Sequence, residues 1–146
     1  MTKIEEDIWR WYHSVSECHY HIQITVKYRK GIIDRQTEKI ILEELKDFKN
    51  RFAIEIYTVG FDLNHMHLLC QFLPKYSAGQ VIRLVKSLTA KQVLKQEKVN
   101  KKLWKGEFWT DGYYIATISN RGSKQVIQNY VKNQGRNPDQ LTIFNF

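Results

Sequence analysis

The segment GFDLNHMHLLCQF at residues 60–72 has the pattern of a turn followed by a strand. Asp62 and Asn64 are turn-forming residues, and apolar side chains alternate with others directly after them. Because successive side chains of a strand point to opposite faces, we expect the strand at 65–73 to turn both of its histidines away from the core. The core-facing set is Met66, Leu68, Cys70 and Phe72, and the opposite set is His65, His67, Leu69 and Gln71.

The residues before this segment predict a strand, a helix and a second strand. Apolar and polar residues alternate over residues 19–29, which is typical of a half-buried strand. Asp34 is a suitable N-cap for a helix that runs to about Arg51. The β-rich run at 53–60 is then expected to form a hairpin with the histidine strand.

The residues after this segment predict a helix, a strand and a last helix. Ser77 and Gln80 form the capping-box signature of a helix that ends near Lys98, and a basic connection follows at 98–105. The remaining expected elements are a strand at about 108–119 broken at Asp111-Gly112, and a helix that begins after Ser123, carries Tyr130 and stops at Gly135 and Pro138.

This order of elements predicts an α+β fold of the ferredoxin-like split βαβ type. Such a sandwich has an antiparallel sheet with two helices packed on one face, and here a C-terminal helix carrying the tyrosine is added. The opposite face of the sheet is expected to be free to bind. No linker or repeat divides the sequence, so residues 1–146 are expected to form a single domain.

The composition favours a nucleic-acid partner. Lysine and arginine total 23 against 15 acidic residues, which gives a net charge of +8, and four Trp, eight Tyr and seven Phe can stack on unpaired bases. No apolar run approaches the roughly 18 residues that span a membrane, and the N-terminus lacks the pattern of a secretion signal. We therefore expect a cytoplasmic protein with no membrane contact. Cys18 and Cys70 are expected to stay unpaired.

Two pairs of residues have a spacing that suits catalysis. His65 and His67 lie on one side of a strand about 7 Å apart, where both can reach one metal ion. Tyr130 and Gln134 are four residues apart on a helix, where both side-chain oxygens can approach the same ion or phosphate. Neither pair identifies a catalytic site by itself, because paired histidines also occur on solvated strands and a tyrosine beside apolar residues is often only a packing residue. His21 is expected on the polar face of its own strand and could border the same site, so its role stays open.

Four motifs occur in order along the chain. They are the first-strand end at 26–29, the His-Met-His triplet within 60–69, the tryptophan-rich residues 103–104 and 108–114, and Tyr-Val-Lys-Asn-Gln at 130–134. Together they resemble the HUH single-tyrosine transposases of the insertion-sequence 200/605 group. The resemblance covers about residues 18–136, whereas residues 1–17 match no part of the pattern.

The resemblance implies an enzyme that cleaves and rejoins single-stranded DNA. Tyr130 would be the nucleophile and would form a 5′-phosphotyrosine link to the DNA. His65, His67 and Gln134 would hold a divalent metal ion, Mg²⁺ or Mn²⁺. The implied substrate is single-stranded DNA with hairpins at transposon ends, and the implied assembly is a homodimer. The residues that we expect to contact DNA phosphates are Lys27, Arg29, Lys30 and Arg83.

Other hypotheses stay open at this point. The same fold occurs in non-catalytic nucleic-acid-binding modules that stack bases on sheet aromatics, but the expected exposed positions of the first and third strands lack aromatic residues. A second alternative keeps the chemistry and changes the role, to a domesticated nickase of chromosomal repeats or of replication initiation. A structural zinc domain is disfavoured, because the sequence lacks a four-ligand set of cysteines and histidines.

Overall fold

The computed structural model describes residues 2–3, 9–11, 13–103 and 106–118, which contain a three-stranded and a four-stranded sheet. The predicted last helix, with Tyr130 and Gln134, lies outside the described residues. The strands are β1 (Thr2–Lys3), β2 (Trp9–Trp11), β3 (Ser14–Ser16), β4 (His19–Thr25), β5 (Ile54–Asp62), β6 (His65–Phe72) and β7 (Tyr114–Ile118), and the helices are α1 (Arg35–Leu45), α2 (Phe48–Phe52), α3 (Ala78–Val93) and α4 (Glu97–Lys102).

The four-stranded sheet has the order β5-β6-β4-β7, and all neighbouring strands in it are antiparallel. Strands β4 and β5 therefore run parallel, with β6 between them and α1 connecting them, which is the split βαβ unit. Helices α1 and α3 bury their apolar residues in one core on a single face of the sheet. The predicted α+β, ferredoxin-like fold is confirmed.

The strand register decides which side chains face the helices. Ile22 pairs with Leu68 and Ile24 pairs with Met66, and all four side chains are at most 1% exposed. Burial of side chains of this size contributes roughly 1.5–3 kcal/mol each to stability, as an upper bound. Because neighbouring residues alternate, the predicted histidines lie on the face that the helices leave uncovered.

Part of that second face is buried, contrary to the expectation that all of it is free. Leu69 and Gln71 are at most 1% exposed. Tyr57, at a β-bulge of β5, packs against Leu69. Gln71 donates a hydrogen bond of 2.8 Å to the Tyr57 hydroxyl and accepts one of 3.2 Å from the Cys18 backbone N–H. The open part of the face is therefore its histidine end.

The first strand is shorter than predicted. β4 ends at Thr25 instead of continuing to residue 29, and Lys27–Arg29 form a 3-10 turn. Tyr28 and Arg29 have left-handed backbone angles, with φ of 59° and 53°. Such angles are uncommon for residues other than glycine. Because apolar and polar residues alternate up to residue 29, the sequence predicted a continuous strand and gave no sign of this turn.

The strand predicted at 108–119 is divided into two pieces. Backbone hydrogen bonds of 2.8 Å from Lys27 N–H to the Phe108 carbonyl and from Thr110 N–H to the Thr25 carbonyl extend the pairing beyond the end of β4. β7 resumes this pairing after the break expected at residues 111–112. Both pieces therefore pair with the same edge of β4 and of the residues directly after it.

Both long helices predicted from the sequence are shorter in the structure. The helix expected from residue 34 to about 51 is divided into α1 and α2, because Asp47 leaves the helical conformation with φ -92° and ψ 0°. The helix expected to end near residue 98 is α3, which ends at Val93. Gln96 is extended, with φ -74° and ψ 118°, and α4 then takes up part of the predicted basic connection.

The small sheet of β1, β2 and β3 is an element that the sequence did not predict. It lies within residues 1–17, which also match no part of the motif pattern. Trp9 in β2 is 1% exposed, so a buried indole belongs to this unit. The sequence offered no alternation long enough to reveal strands of two or three residues.

Two further expectations concern cysteines and membranes. Cys18 and Cys70 are both free, as predicted, and burial raises the pKa of the Cys70 thiol well above its usual range. Cys70 is thus a core residue without a reactive thiolate. In the described part of the chain, no helix has the length and apolar character needed to cross a bilayer.

Candidate functional site

The hairpin between β5 and β6 carries the main group of candidate site residues. Asp62 and His65 are Cα partners on either side of its turn, so their side chains share one face of the sheet. The backbone N–H of Val26 donates to the Asn64 carbonyl at 2.8 Å, which ties the tip of the hairpin to the end of β4. The turn residues are therefore held in place by the sheet itself.

Asp62, His65 and His67 form a cluster that suits a metal ion. One ligand atom of each residue lies within 4.8 Å of the others. Ligand atoms lie about 2.0–2.2 Å from a bound ion, so atoms on opposite sides of one ion are about 4 Å apart. Small side-chain movements would therefore bring all three atoms to a common ion. Two imidazoles and a carboxylate are frequent ligands of divalent cations.

Both ring nitrogens of His65 have an oxygen neighbour. Nε2 lies 3.0 Å from a carboxylate oxygen of Asp62, and Nδ1 lies 2.6 Å from the side-chain oxygen of Asn64. A neutral imidazole carries one N–H, and donation from Nδ1 to Asn64 leaves Nε2 with the lone pair that ligation needs. The Asn64 contact thus orients the His65 ring and provides the acceptor that an Nδ1–H would need when Nε2 binds an ion.

His67 is packed among other histidines. Its Nδ1 lies 3.3 Å from Nε2 of His21, and its ring centroid lies 4.7 Å from that of His65. Burial lowers the pKa of His67 to about 4, with further lowering from His65 and His21. Burial also lowers the pKa of His21. Both rings are therefore mainly neutral at neutral pH, which is the state in which imidazole binds metals.

The structure brings the two predicted histidines together and adds two neighbours to them. Asp62 was assigned only to a turn, where acidic residues are common. Its position opposite His65 across the hairpin is the sequence signal that could have identified it. His21, whose role the sequence left open, borders the cluster. The predicted tyrosine and glutamine of the last helix lie outside the described part of the chain.

Two of the predicted DNA-contacting residues line a cavity beside the histidines. Lys27 and Arg29 both contribute to its wall. Lys27 also forms an ion pair with Glu107, which neutralises much of its charge locally. The side chain of Arg29 is exposed. Arg29 is therefore the better placed of the two to meet a phosphate.

The other two predicted DNA-contacting residues lie elsewhere. The Lys30 ammonium donates to the Lys102 carbonyl at the end of α4. Arg83 on α3 lines a second cavity of about 690 Å³, together with Glu107. Arg83 thus lines a different cavity from Lys27 and Arg29, and the Lys30 ammonium is engaged at the end of α4.

The chain matches a known protein family over most of its length. The family model described as "Transposase IS200 like" matches residues 14–134. The chain belongs to the IS200-like transposase family. This match confirms the resemblance inferred from the motifs. Membership in a transposase family implies DNA cleavage and strand transfer, which disfavours the alternative of a non-catalytic nucleic-acid-binding module.

Two curated relatives extend this similarity over most of the chain. The ISDra2 transposase TnpA of Deinococcus radiodurans is 26% identical over 121 residues, which cover 82% of this chain and 86% of the relative. The transposase for insertion sequence element IS200 of Salmonella typhimurium is 29% identical over 126 residues, which cover 84% and 80% respectively. The similarity thus includes most of each relative.

Solved structures share the fold. A crystal structure of a Deinococcus radiodurans R1 protein assigned as a transposase matches with a TM-score of 0.64 at 20% identity, over 92% of this chain and 98% of the other. A REP-associated tyrosine transposase bound to a REP hairpin matches with a TM-score of 0.53 at 14% identity, over 90% and 74%. At these identities the likeness concerns the fold.

Proposed function

We propose that this protein cleaves and rejoins single-stranded DNA at transposon-end hairpins, with a divalent metal ion and with Tyr130 as the nucleophile. The observation that supports this proposal most directly is the cluster of Asp62, His65 and His67 at the open end of the sheet face. A transposase must bind and activate a phosphodiester, and the cluster offers two imidazoles and a carboxylate for the ion that would do so.

The proposed ion is Mg²⁺ or Mn²⁺. When bound, such an ion stabilises the negative charge on the phosphate oxygens during the reaction. The protein prepares its ligands beforehand, since Asn64 orients one imidazole and burial keeps the other neutral. The proposed ligands are Asp62, His65, His67 and, from the family motif, Gln134.

Tyr130 is proposed to act through its phenol oxygen. This oxygen attacks the phosphorus, so that a phosphorus–oxygen bond to tyrosine forms and the bond to the 3′-oxygen breaks. The phenol gives up its proton, and the departing 3′-oxygen takes up a proton to become a hydroxyl. Rejoining is the reverse reaction with a different 3′-hydroxyl, so neither water nor an external energy source is consumed.

The hairpin substrate and the dimer are part of the same proposal. The REP-associated neighbour is bound to a REP hairpin, and the present chain has a net charge of +8, which favours a polyanion. The homodimer rests on the family resemblance. In it, the tyrosine helix of one protomer could serve the histidines of its partner.

A domesticated nickase of chromosomal repeats would use the same residues. The curated relatives at 26% and 29% identity are insertion-sequence transposases. The REP-associated neighbour is 14% identical. These values favour transposon ends over chromosomal repeats as the substrate.

The proposal can be tested by cleavage assays. The substrates are labelled single strands from the hairpins that flank the gene. We expect cleavage with Mg²⁺ or Mn²⁺, none with a chelator, and none on the fully paired duplex of the same sequence. His67→Ala should abolish cleavage, whereas His13→Ala, at an exposed histidine outside the cluster, should retain it. Equal cleavage with a chelator, or by His67→Ala, would contradict the metal-assisted proposal.

A further inference from the structure

A cavity of about 480 Å³ opens on the histidine face between the end of β4 and the start of β7. Its size is within the range of small-molecule sites in proteins. Polar groups and aromatic rings are both present in its wall. The lining side chains used below are Gln23, Thr25, Arg29, Tyr28, Tyr113 and Tyr114.

Three tyrosines of this cavity are unusually exposed. Tyr28 is 61% exposed, Tyr113 is 52% exposed and Tyr114 is 56% exposed. In the described part of the chain, the only other large hydrophobic side chains with such exposure are Val15 and Leu63. Three of five therefore line one cavity. Exposed aromatic rings that converge in this way are a typical platform for stacking on unpaired bases.

The first wall of the cavity is formed by a strained turn. Tyr28 and Arg29 are consecutive residues with left-handed backbone angles, although neither is glycine. Such a conformation costs free energy and occurs preferentially at binding sites, where the surroundings maintain it. Here a hydrogen bond of 2.8 Å from Arg29 N–H to the Val26 carbonyl holds the turn. The turn places Tyr28 and Arg29 side by side at the cavity.

The opposite wall is fixed by a single lysine of α3. The ammonium group of Lys86 donates to the carbonyls of Thr110, Asp111 and Gly112 at 2.7, 3.0 and 2.8 Å. These three residues directly precede Tyr113. A loop held at three successive carbonyls loses little further freedom on binding, so the cavity is preformed.

The cavity lies one strand away from the candidate metal cluster. Gln23 is the Cα partner of His67 on one side and of Tyr114 on the other. Neighbouring strands are about 5 Å apart, so Tyr114 lies about two strand spacings from His67. The ring of Tyr114 also meets that of His21 edge-on, with centroids 6.0 Å apart.

We propose that this cavity receives the unpaired base of a nucleotide next to the scissile phosphate. The base stacks on the exposed rings of Tyr28 and Tyr114, the amide of Gln23 and the hydroxyl of Thr25 meet its edge, and Arg29 meets the adjoining phosphate. The proposal rests on the proposed function for the identity of the scissile phosphate. It adds a base-binding site beside the metal cluster and gives the exposed tyrosines a role, whereas neither β4 nor β6 carries an exposed Phe, Tyr or Trp.

Binding can be measured without cleavage, in the presence of a chelator. The probes are a fluorescein-labelled twelve-nucleotide oligothymidylate and a twelve-unit abasic strand with the same phosphates, followed by fluorescence anisotropy. Wild-type protein should bind the oligothymidylate at least about fivefold more tightly than the abasic strand, since stacking on an aromatic ring discriminates by that factor or more. Tyr28→Leu and Tyr114→Leu should each reduce this preference and leave abasic binding unchanged.

Matched variants separate stacking from a general loss of structure. Tyr28→Phe keeps the ring and should retain the preference. Tyr76→Leu removes a tyrosine outside the cavity and should also retain it. Photocrosslinking is a second measurement. Oligothymidylate with one 5-iodouracil should crosslink under light either to the peptide that contains Tyr28 or to the peptide that contains both Tyr113 and Tyr114. Unchanged preference in Tyr28→Leu and Tyr114→Leu, with crosslinks only elsewhere, would overturn the proposal.

The outcome of this binding test does not depend on the proposed cleavage chemistry. If only the base site is wrong, the leucine variants bind like wild type and metal-dependent cleavage persists. If only the proposed chemistry is wrong, cleavage fails in all proteins while the leucine variants still lose their preference for bases.

Discussion

A carboxylate oxygen of Asp62 lies 3.0 Å from Nε2 of His65, across the turn that joins β5 and β6. The contact places a negative charge beside the imidazoles at the open end of the sheet face, where a divalent ion would be attracted. It depends on the register in which these two residues are partners. A shift by one residue would turn one of the two side chains to the helix face and separate them.

Replacement of Asp62 by asparagine tests the third ligand. Asp62→Asn keeps the shape of the side chain and removes its charge, so we expect the Kd for Mn²⁺ to rise at least about tenfold. Titration calorimetry with Mn²⁺ measures the change. Glu43→Gln, at an exposed acid paired with Lys46 on α1, is the matched control and should bind as wild type does. Equal affinities of Asp62→Asn and wild type would exclude Asp62 as a ligand.

The hydrogen bond of 2.6 Å between Asn64 and His65 Nδ1 leads to a second prediction. Asn64→Ala removes the oxygen that would accept from His65 Nδ1–H when Nε2 binds the ion, and the Kd for Mn²⁺ should rise about 10- to 100-fold. Asn64→Asp keeps an acceptor oxygen at the same position and should bind Mn²⁺ no more weakly than wild type. If Asn64→Ala and Asn64→Asp behave alike, the orienting role is wrong.

Lys86 is expected to anchor the loop before β7. Lys86→Met leaves three carbonyls without their charged donor and should lower the free energy of unfolding by about 1–3 kcal/mol. Amide hydrogen exchange should accelerate at Thr110, whose N–H bonds to Thr25. Urea unfolding and exchange measure the two effects. Lys86→Arg keeps charge and donors and should lose less stability, so equal losses in both variants would contradict the anchor.

Asp34 should make stability depend on pH in the acid range. Burial alone raises the pKa of Asp34, but hydrogen bonds from Lys98 and Thr37 outweigh it and lower the pKa to about 2. A lowered pKa in the folded state contributes stability above the unfolded value of about 3.9, and this contribution is lost as the pH falls towards 2. Urea unfolding between pH 6 and 2 measures the slope.

Two substitutions separate the charge of Asp34 from its capping role. Asp34→Ser keeps an acceptor for the Thr37 N–H but removes the charge, so it should flatten the slope between about pH 4 and 2. Asp34→Ala removes both and should cost about 1 kcal/mol more than Asp34→Ser at neutral pH. A slope in Asp34→Ser as steep as in wild type would show that other carboxylates carry the acid dependence.

The sequence predicted the face on which the histidines lie, because strand alternation is local and needs no knowledge of the partners. His65 and His67 therefore appear where the pattern of residues 65–73 placed them. The order of elements likewise predicted the sheet topology, since few arrangements bury two helices on one face of four antiparallel strands.

Features that depend on strand pairing or on rare backbone conformations could not be predicted from the sequence. Asp62 joins the cluster only through its partner across the hairpin, and Tyr114 reaches the same face only through the register of β7. The left-handed turn at Tyr28 contradicts the local preference of its residues. Leu69 is buried because a bulge directs Tyr57 onto it, and a bulge has no simple sequence signature.

The measurement that tests the central claim most directly is mass spectrometry of the protein after reaction with single-stranded transposon ends and Mg²⁺. We expect a peptide that carries an oligonucleotide on Tyr130 through a 5′-phosphate. It should be absent with a chelator and in Tyr130→Phe, which should still bind the same DNA. A covalent adduct that persists in Tyr130→Phe, or metal-dependent cleavage without any protein-linked DNA, would contradict the account.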